Sequence, residues 1–562
     1  MNGTFSLDHN HQRHFIRVVI LLLCLVQVDA LDLLRDPSYE PLNYPRIKLP
    51  TRHSRAGEYR RPIRFFFSAF NRNFSLNLQP ADRNSGLFPP DVNIEVNDQP
   101  ENVDPYKDLY EGTVEGYPDS RVFGTIVDNL FDGTIRMGNG VVYTVEKVEN
   151  YLSTGRLPAY PHSIIHSNEP MYWRKKRSPD NVVGNCGWSP EMMESHPVYE
   201  PDPELERPRP QRNLKNTDAK GRSLYRTCSM GIHVDQTFYR AIFKSDGKRN
   251  IQLTRNYILS HVAKALDTVN NIYSKTNFDG IKGIKFEIKS LKIYNDTNCK
   301  NGEPVGGTKN KLCNERLDTG TALARFSLED YNEFCLVYAI TYRDFEQNRL
   351  GLAHVGVDGI KVDSICAILH LRHPLYKLRY GFYKAEISGA FWLILLGHIS
   401  ATRGGVCDVY SIDGNDGQKR SLNTGIVTMV NAGARQTLRI FSLTLAHEIG
   451  HNFGAPHDNA DGVTCKTEHH GKHLLNLKPN MTKKTNPRNC FEEKLTPFCG
   501  NQRREGTEVC DCGMTEAECN DIGDVCCNSK GQNNPCQLKS HSVDKTGHNC
   551  SVKLDIYVLF SA

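Results

Sequence analysis

The stretch "TLAHEIGHNFGAPHD", residues 444 to 458, places three histidines and one glutamate at a spacing that can do chemistry. Four residues of an α-helix turn through about 400° and rise ~6 Å, so the imidazoles of His447 and His451 share a face and can converge on one ion. Glu448 stands one step round the helix, beside such an ion rather than under it. That offset separates ligand from base: Glu448 can take a proton from an activated water and pass it to a leaving amine, while both histidines stay neutral donors. Gly454 can adopt a left-handed backbone, end the helix and turn the chain so that His457 supplies a third nitrogen. Three protein ligands leave the fourth position of a tetrahedral Zn2+ open to water, whose pKa the ion lowers towards ~7. HExxH alone arises by chance on amphipathic helices. The extended H-E-x-x-H-x-x-G-x-x-H demands a glycine and a third histidine at fixed offsets. It points to one catalytic zinc ion and to peptide-bond hydrolysis with water as nucleophile.

Such a motif needs a helix and a sheet to hold it. Leu438, Phe441 and Leu445 form an apolar stripe that predicts one helix from about Thr437 to Phe453. Ahead of it, Ser229-Met230-Gly231-Ile232-His233-Val234 reads as a strand, and Ile258, Val262, Leu266, Val269 and Ile272 as a helix. Ile284, Phe286 and Ile288 alternate as a strand, and the runs Phe334–Ile340 and Gly425–Val430 are apolar enough for a buried sheet. This succession is an α/β layer. Further upstream, Val122–Val127 and Val141–Val145 alternate between turn signals and predict a β-rich unit. His233, His354 and the pair His469-His470 have no partner at ligand spacing and are expected to be structural or surface residues.

The rest of the 562-residue chain sets the compartment. A net charge of +5 is small for this length and makes no case for nucleic acid as a partner. Arg13 and Arg17 precede an apolar run, Val18 to Val26, and a small-residue site at Ala30, which reads as a secretory signal peptide over 1–30. Eight of the 18 cysteines fall between Cys499 and Cys550, where apolar residues are too few for a core and disulfides must replace it. Sequons at Asn73, Asn295 and Asn480 suit an exported, glycosylated chain. Arg174-Lys175-Lys176-Arg177 before Ser178 reads as a site for a proprotein convertase. The proline-rich, charged stretch 178–222 reads as an extended linker, with a second basic site at Arg209–Arg212. No later segment is apolar for long enough to span a bilayer.

With this motif, the basic cleavage run and a tail containing "EVCDCG", the chain resembles the ADAM (disintegrin and metalloproteinase) family. The segments "TNFDGIKGIKFEIKSLKI", "TYRDFEQNRLGLAHVG" and "KRSLNTGIVT" look most like its Kuzbanian branch, the α-secretase-like sheddases. The resemblance implies a multidomain chain: signal peptide 1–30, β-rich prodomain 31–177, linker 178–222, a metzincin-like α/β zinc protease domain 223–493 (a mixed twisted sheet with helices), and a partial disulfide-rich disintegrin module 494–550. It implies that His447, His451 and His457 hold zinc, that Glu448 is the catalytic base, and that Gly425-Ile426-Val427-Thr428 is an edge strand pairing with extended substrate. It would join Cys228 to Cys335 and Cys407 to Cys490, and make Cys186 a candidate cysteine switch, with an ordinary disulfide as its alternative. Implied partners are membrane-anchored substrates of the Notch-receptor type, cut near the membrane, and an activating convertase. The chain departs from the family at 358–401, an insertion; after His457, where no apolar Met-turn is found; and at 551–562, an atypical tail. These departures suggest an alternatively or imperfectly spliced form, and keep open a second reading as an extracellular binding protein acting through its disintegrin-like part.

Overall fold

The computed structural model describes residues 38–42, 62–83, 85–127, 130–148, 151, 163–168, 226–276, 283–356, 404–412, 417–454, 490–492, 499–500, 504, 508–521 and 523–539. The signal peptide, the linker, Arg177, Ser178, Cys186, the 358–401 insertion, His457, Asn480 and the 551–562 tail lie outside the described residues.

The N-terminal part contributes β1 (Tyr39–Leu42), β2 (Ile63–Ala69), β3 (Arg72–Pro80), β4 (Asn93–Val96), β5 (Gln99–Pro100), β6 (Leu109–Val114), β7 (Tyr117–Val127), β8 (Leu130–Arg136), β9 (Val142–Lys147) and β10 (Ser163–Ser167). Eight of these form one antiparallel sheet in the order β1-β10-β9-β8-β7-β6-β3-β2. Period-two patterning sets which side chains go inward. In β2, Phe65, Phe67 and Ala69 are buried while Phe66 is 60% exposed.

The following chain builds β11 (Thr227–Val234), α1 (Gln236–Lys244), α2 (Ile251–Tyr273), β12 (Lys285–Ile293), α3 (Thr319–Phe326), β13 (Leu336–Thr341), β14 (Gly351–Ala353), β15 (Thr424–Thr428) and α4 (Leu438–Asn452). Its sheet runs β14-β15-β13-β11-β12, with β11 to β13, β15 and β12 parallel and β14 antiparallel. Strands β13 and β15 are buried throughout, as expected of parallel strands covered on both faces. Helix starts are set by side chains: Asp235 accepts the Thr237 and Phe238 amides, Asn250 that of Leu253, and Thr437 that of Ile440.

The boundary expected near residue 177 does not separate two independent sheets. Hairpin β4–β5 leaves the N-terminal sheet and adds to β12, so the second sheet ends β12-β4-β5. Leu87, Phe88, Ile94, Val96 and Tyr106 accordingly share one core with Ile232, Ile258, Phe286 and Ile449. Each large apolar side chain so buried contributes ~1.5–3 kcal/mol, which outweighs anything the surface ion pairs supply. Buried ion pairs cross the same contact. Lys264 on α2 meets Asp132 at 2.7 Å, and Asp267 accepts from Arg121 at 2.7 Å and Arg136 at 2.6 Å.

Among the described residues, the core of the cysteine-dense segment is made of cysteines, held by Cys499–Cys536, Cys510–Cys527 and Cys512–Cys519. It touches the N-terminal sheet where the Ala517 amide donates to Asp119 (3.2 Å). No helix among the described residues is long and apolar enough to cross a membrane.

One N-terminal side chain reaches the motif helix. Glu146 on β9 accepts from the Leu438 amide in the first turn of α4 (2.9 Å) and from the Tyr151 hydroxyl (2.5 Å). Burial, then the nearby Asp132, push its carboxyl from 4.5 up to about 7. A group raised in the folded state favours folding below its unfolded value, and that contribution is lost as pH rises through the folded value. The melting temperature of the full chain should therefore fall as pH rises from about 4.5 to about 7 and level off above that, with Glu146→Gln flattening the fall. Equal slopes in the two proteins would show that Glu146 does not titrate there.

Candidate active site

The motif helix α4 is buried along one side through Leu438, Phe441, Leu445 and Ile449. Near its C-terminal end His447 and His451 bring their rings to 4.8 Å between centroids, on one face and almost perpendicular. Between them in sequence, Glu448 is 1% exposed and turned to the sheet. The space it fills exists because residue 351 is glycine: a Cβ there would lie 2.7 Å from both Cγ and Oε1 of Glu448. Gly454 takes φ +88° and its amide donates to the His451 carbonyl (2.8 Å), which ends the helix as its sequence position implied. His457 follows three residues on, outside the described residues.

Three contacts fix this end of the helix. The Tyr273 hydroxyl on α2 donates to the Ala446 carbonyl (2.9 Å), and burial pushes that phenol well up, so it stays a donor. The Gly356 amide donates to the His451 carbonyl (2.9 Å). The Asn452 carboxamide ties α4 to three strands or their ends: Nδ2 donates to the carbonyls of His354 (2.9 Å) and Thr424 (3.3 Å), and Oδ1 accepts from the Tyr338 hydroxyl on β13. Asn452, Tyr338 and Gly351 were missed in the sequence. A polar side chain on the buried flank of an apolar helix is the signal that would have found Asn452.

Gly425–Thr428, expected as the substrate-pairing edge strand, does not lie at an edge. β15 is parallel to β13 on one side and antiparallel to β14 on the other, and its residues are buried. The edge is β14, Gly351–Ala353, which among the described residues has a strand neighbour on one side only. Gly425 has a packing reason instead: a Cβ would lie 2.4 Å from Cε1 of Tyr338, whose ring must pass to reach Asn452.

Other expected residues are placed as follows. Cys228 is joined to Cys335 and Cys407 to Cys490, each with Cα atoms 5.3 Å apart. A further disulfide, Cys299–Cys313, had no counterpart in the sequence reading. Asn73 is exposed on β3, and Asn295 is half-buried with its Oδ1 accepting from the Thr297 amide (2.9 Å) and hydroxyl (2.6 Å). His233 stands on β11 among Tyr294, Phe326 and Tyr331, where burial and then Lys292 push its imidazole down to about 3. It stays neutral and structural.

Two imidazoles 4.8 Å apart on one helix face, with a carboxylate between them in sequence, are residue types that suit zinc. Fold and motif together define a metallopeptidase-type domain, and residues 256–476 match the model of metallo-peptidase family M12B, reprolysin-like. The chain is 31% identical over 604 aligned positions to a disintegrin and metalloproteinase domain-containing protein 10 homolog of Caenorhabditis elegans, covering 95% of this chain and 60% of that protein. Against disintegrin and metalloproteinase domain-containing protein 10 of Homo sapiens it is 28% identical, covering 87% of this chain and 61% of that protein. A zinc metalloproteinase-disintegrin-like protein of Naja atra, atrase-A, is 29% identical over 139 positions, 21% of each chain. Over most of its length the chain is therefore similar to disintegrin and metalloproteinase domain-containing protein 10, and within that length it carries the reprolysin-like metallo-peptidase match. It spans about three fifths of the length of the first two relatives.

Gly425→Ala should cost ~1–3 kcal/mol of stability through overpacking against Tyr338. Thermal unfolding checks this. Unchanged stability with weakened substrate binding would return Gly425 to a substrate-facing role.

Proposed function

We propose that this chain is a zinc-dependent endopeptidase that cleaves membrane-anchored proteins close to the membrane, releasing their extracellular parts. The observation that carries the reading is the pairing of the His447 and His451 rings, 4.8 Å apart on one helix face, with Glu448 between them in sequence and packed against Gly351 of β14, which ends the strand order among the described residues. His447 and His451, with His457 as third ligand, would hold one zinc ion. When bound, the ion supplies a Lewis acid that polarises the scissile carbonyl and makes water acidic enough to lose a proton near neutral pH. Glu448 takes that proton and returns it to the leaving amine nitrogen. β14 ends the strand order among the described residues and would take an extended substrate as a further strand, which would hold the scissile bond along the face where Glu448 lies.

The resemblance assigns 31–177 as a prodomain that is removed by a convertase cutting after Arg177, and Cys186 as a candidate thiolate for the zinc position in the latent form. Substrates of the Notch-receptor type follow from the Kuzbanian-like branch. The glycans proposed at Asn73 and Asn295 would sit on the surface, consistent with transit through the secretory pathway.

The test is cleavage of a quenched fluorogenic peptide by the purified chain after linker cleavage, with zinc measured in the same samples. Glu448→Ala should lose at least ~10²-fold in kcat/KM while keeping its zinc. His451→Ala should lose both. Zinc present with no turnover in any sample would overturn the enzyme reading in favour of a binding protein.

A further inference from the structure

Hairpin β4–β5 is where the N-terminal unit enters the sheet that carries the candidate active site. β4 runs parallel to β12, with Asn93–Val96 opposite Ser290–Ile293, and the Asn97 amide continues the ladder to the Ile293 carbonyl (2.9 Å). Ile94 and Val96 point into the core beneath. The outer strand β5 is short, exposed and ends in Pro100, so the ladder stops there.

The turn of this hairpin is the informative part. Asn97 and Asp98 have φ of +52° and +60°, the left-handed pair that a two-residue hairpin turn requires. Glycine is the easy choice at the second of these positions, and aspartate there bears strain. Its carboxylate is held by the other unit. Oδ1 accepts from the Tyr294 hydroxyl (3.0 Å), and Oδ2 accepts from the Thr308 hydroxyl (2.7 Å) and the Lys309 amide (3.0 Å). Burial works against its charge, yet these three donors and Lys292 keep the carboxyl below its usual range. Asn97 does the same next door: Nδ2 donates to Asn295 Oδ1 (2.9 Å) and Thr297 Oγ1 (3.0 Å), and Oδ1 accepts from the Asn295 amide (3.0 Å). Both turn side chains direct their hydrogen bonds at the loop that follows β12.

We propose that hairpin Asn93–Pro100 is a docking strand that keeps the N-terminal unit bound to the catalytic unit as a separate, non-covalent partner after the chain is cut between residues 168 and 226, with Asp98 fixing its register. The partner surface is the β12 edge together with Tyr294, Asn295 and Thr308. This rests on the reading of the N-terminal unit as a removable prodomain, and it makes cutting and release two distinct steps. Release requires β12 to give up a strand and four hydrogen-bonding groups at the turn to find water.

The experiment uses the full chain with a recognition sequence for a site-specific protease placed in the 178–222 linker. After cutting, the two parts should co-elute on size exclusion, and their separation is timed on dilution by loss of fluorescence transfer between labels on the two parts. Asp98→Gly suits the turn better than aspartate and so leaves the hairpin able to form. It should nonetheless speed separation by about tenfold or more, as loss of a set of charge-assisted bonds predicts. If aspartate served only the turn, Asp98→Gly would separate at the wild-type rate or more slowly, and the proposal falls. Immediate separation of the wild-type parts on cutting would also overturn it. Neither readout depends on peptidase activity, so a failed activity test and a failed docking test are told apart.

Discussion

The position of helix α4 against the sheet is the constraint on which everything else rests. Ligand spacing along a helix places two imidazoles together wherever the helix goes. Only tertiary contacts decide that they come together beneath a strand edge. Four buried apolar side chains press α4 inward, but apolar burial is non-directional and leaves rotation and sliding unspecified. Direction comes from Tyr273 at the Ala446 carbonyl, Gly356 at the His451 carbonyl, and above all Asn452, whose single carboxamide reaches β13, β15 and the end of β14. A one-residue slip would break all of these at once and turn Glu448 away from Gly351.

The same helix is held at its start by the N-terminal unit. Glu146 receives the Leu438 amide, and Arg439 donates to Nδ1 of His166 on β10 (3.2 Å). Accepting from a guanidinium requires a neutral imidazole, and burial, then Arg439 itself, hold His166 down at about 3. The N-terminal sheet therefore contacts the end of α4 remote from the histidines. Hairpin β4–β5 lies at the opposite side of the second sheet from β14. Among the described residues, then, this sheet braces the catalytic layer and leaves the β14 edge open.

Much of this was legible in the sequence where a local rule acts alone. The stripe Leu438, Phe441, Leu445 set the helix to within a residue at each end, because a capping threonine and a C-terminal glycine bracket it. Strands β11 and β13 were legible as apolar runs, and the β-rich character upstream as alternation. The edge strand was not. Gly351-Leu352-Ala353 is three residues long and carries no alternation, whereas Gly425-Ile426-Val427-Thr428 has the stronger β-character for the reason that it is interior, between two neighbours. The β4–β5 hairpin was equally hidden: Asn93-Ile94-Glu95-Val96 is only four residues long, and nothing local states which sheet receives it.

The most direct measurement of the central claim is zinc-edge X-ray absorption on the linker-cleaved chain, compared with His447→Ala and His451→Ala. The account predicts a first shell of light atoms with histidine nitrogens at about 2.0–2.1 Å, and loss of zinc or of one imidazole contribution in each variant. Zinc bound with an unaltered shell in both variants, or a shell made only of sulfur, would contradict it.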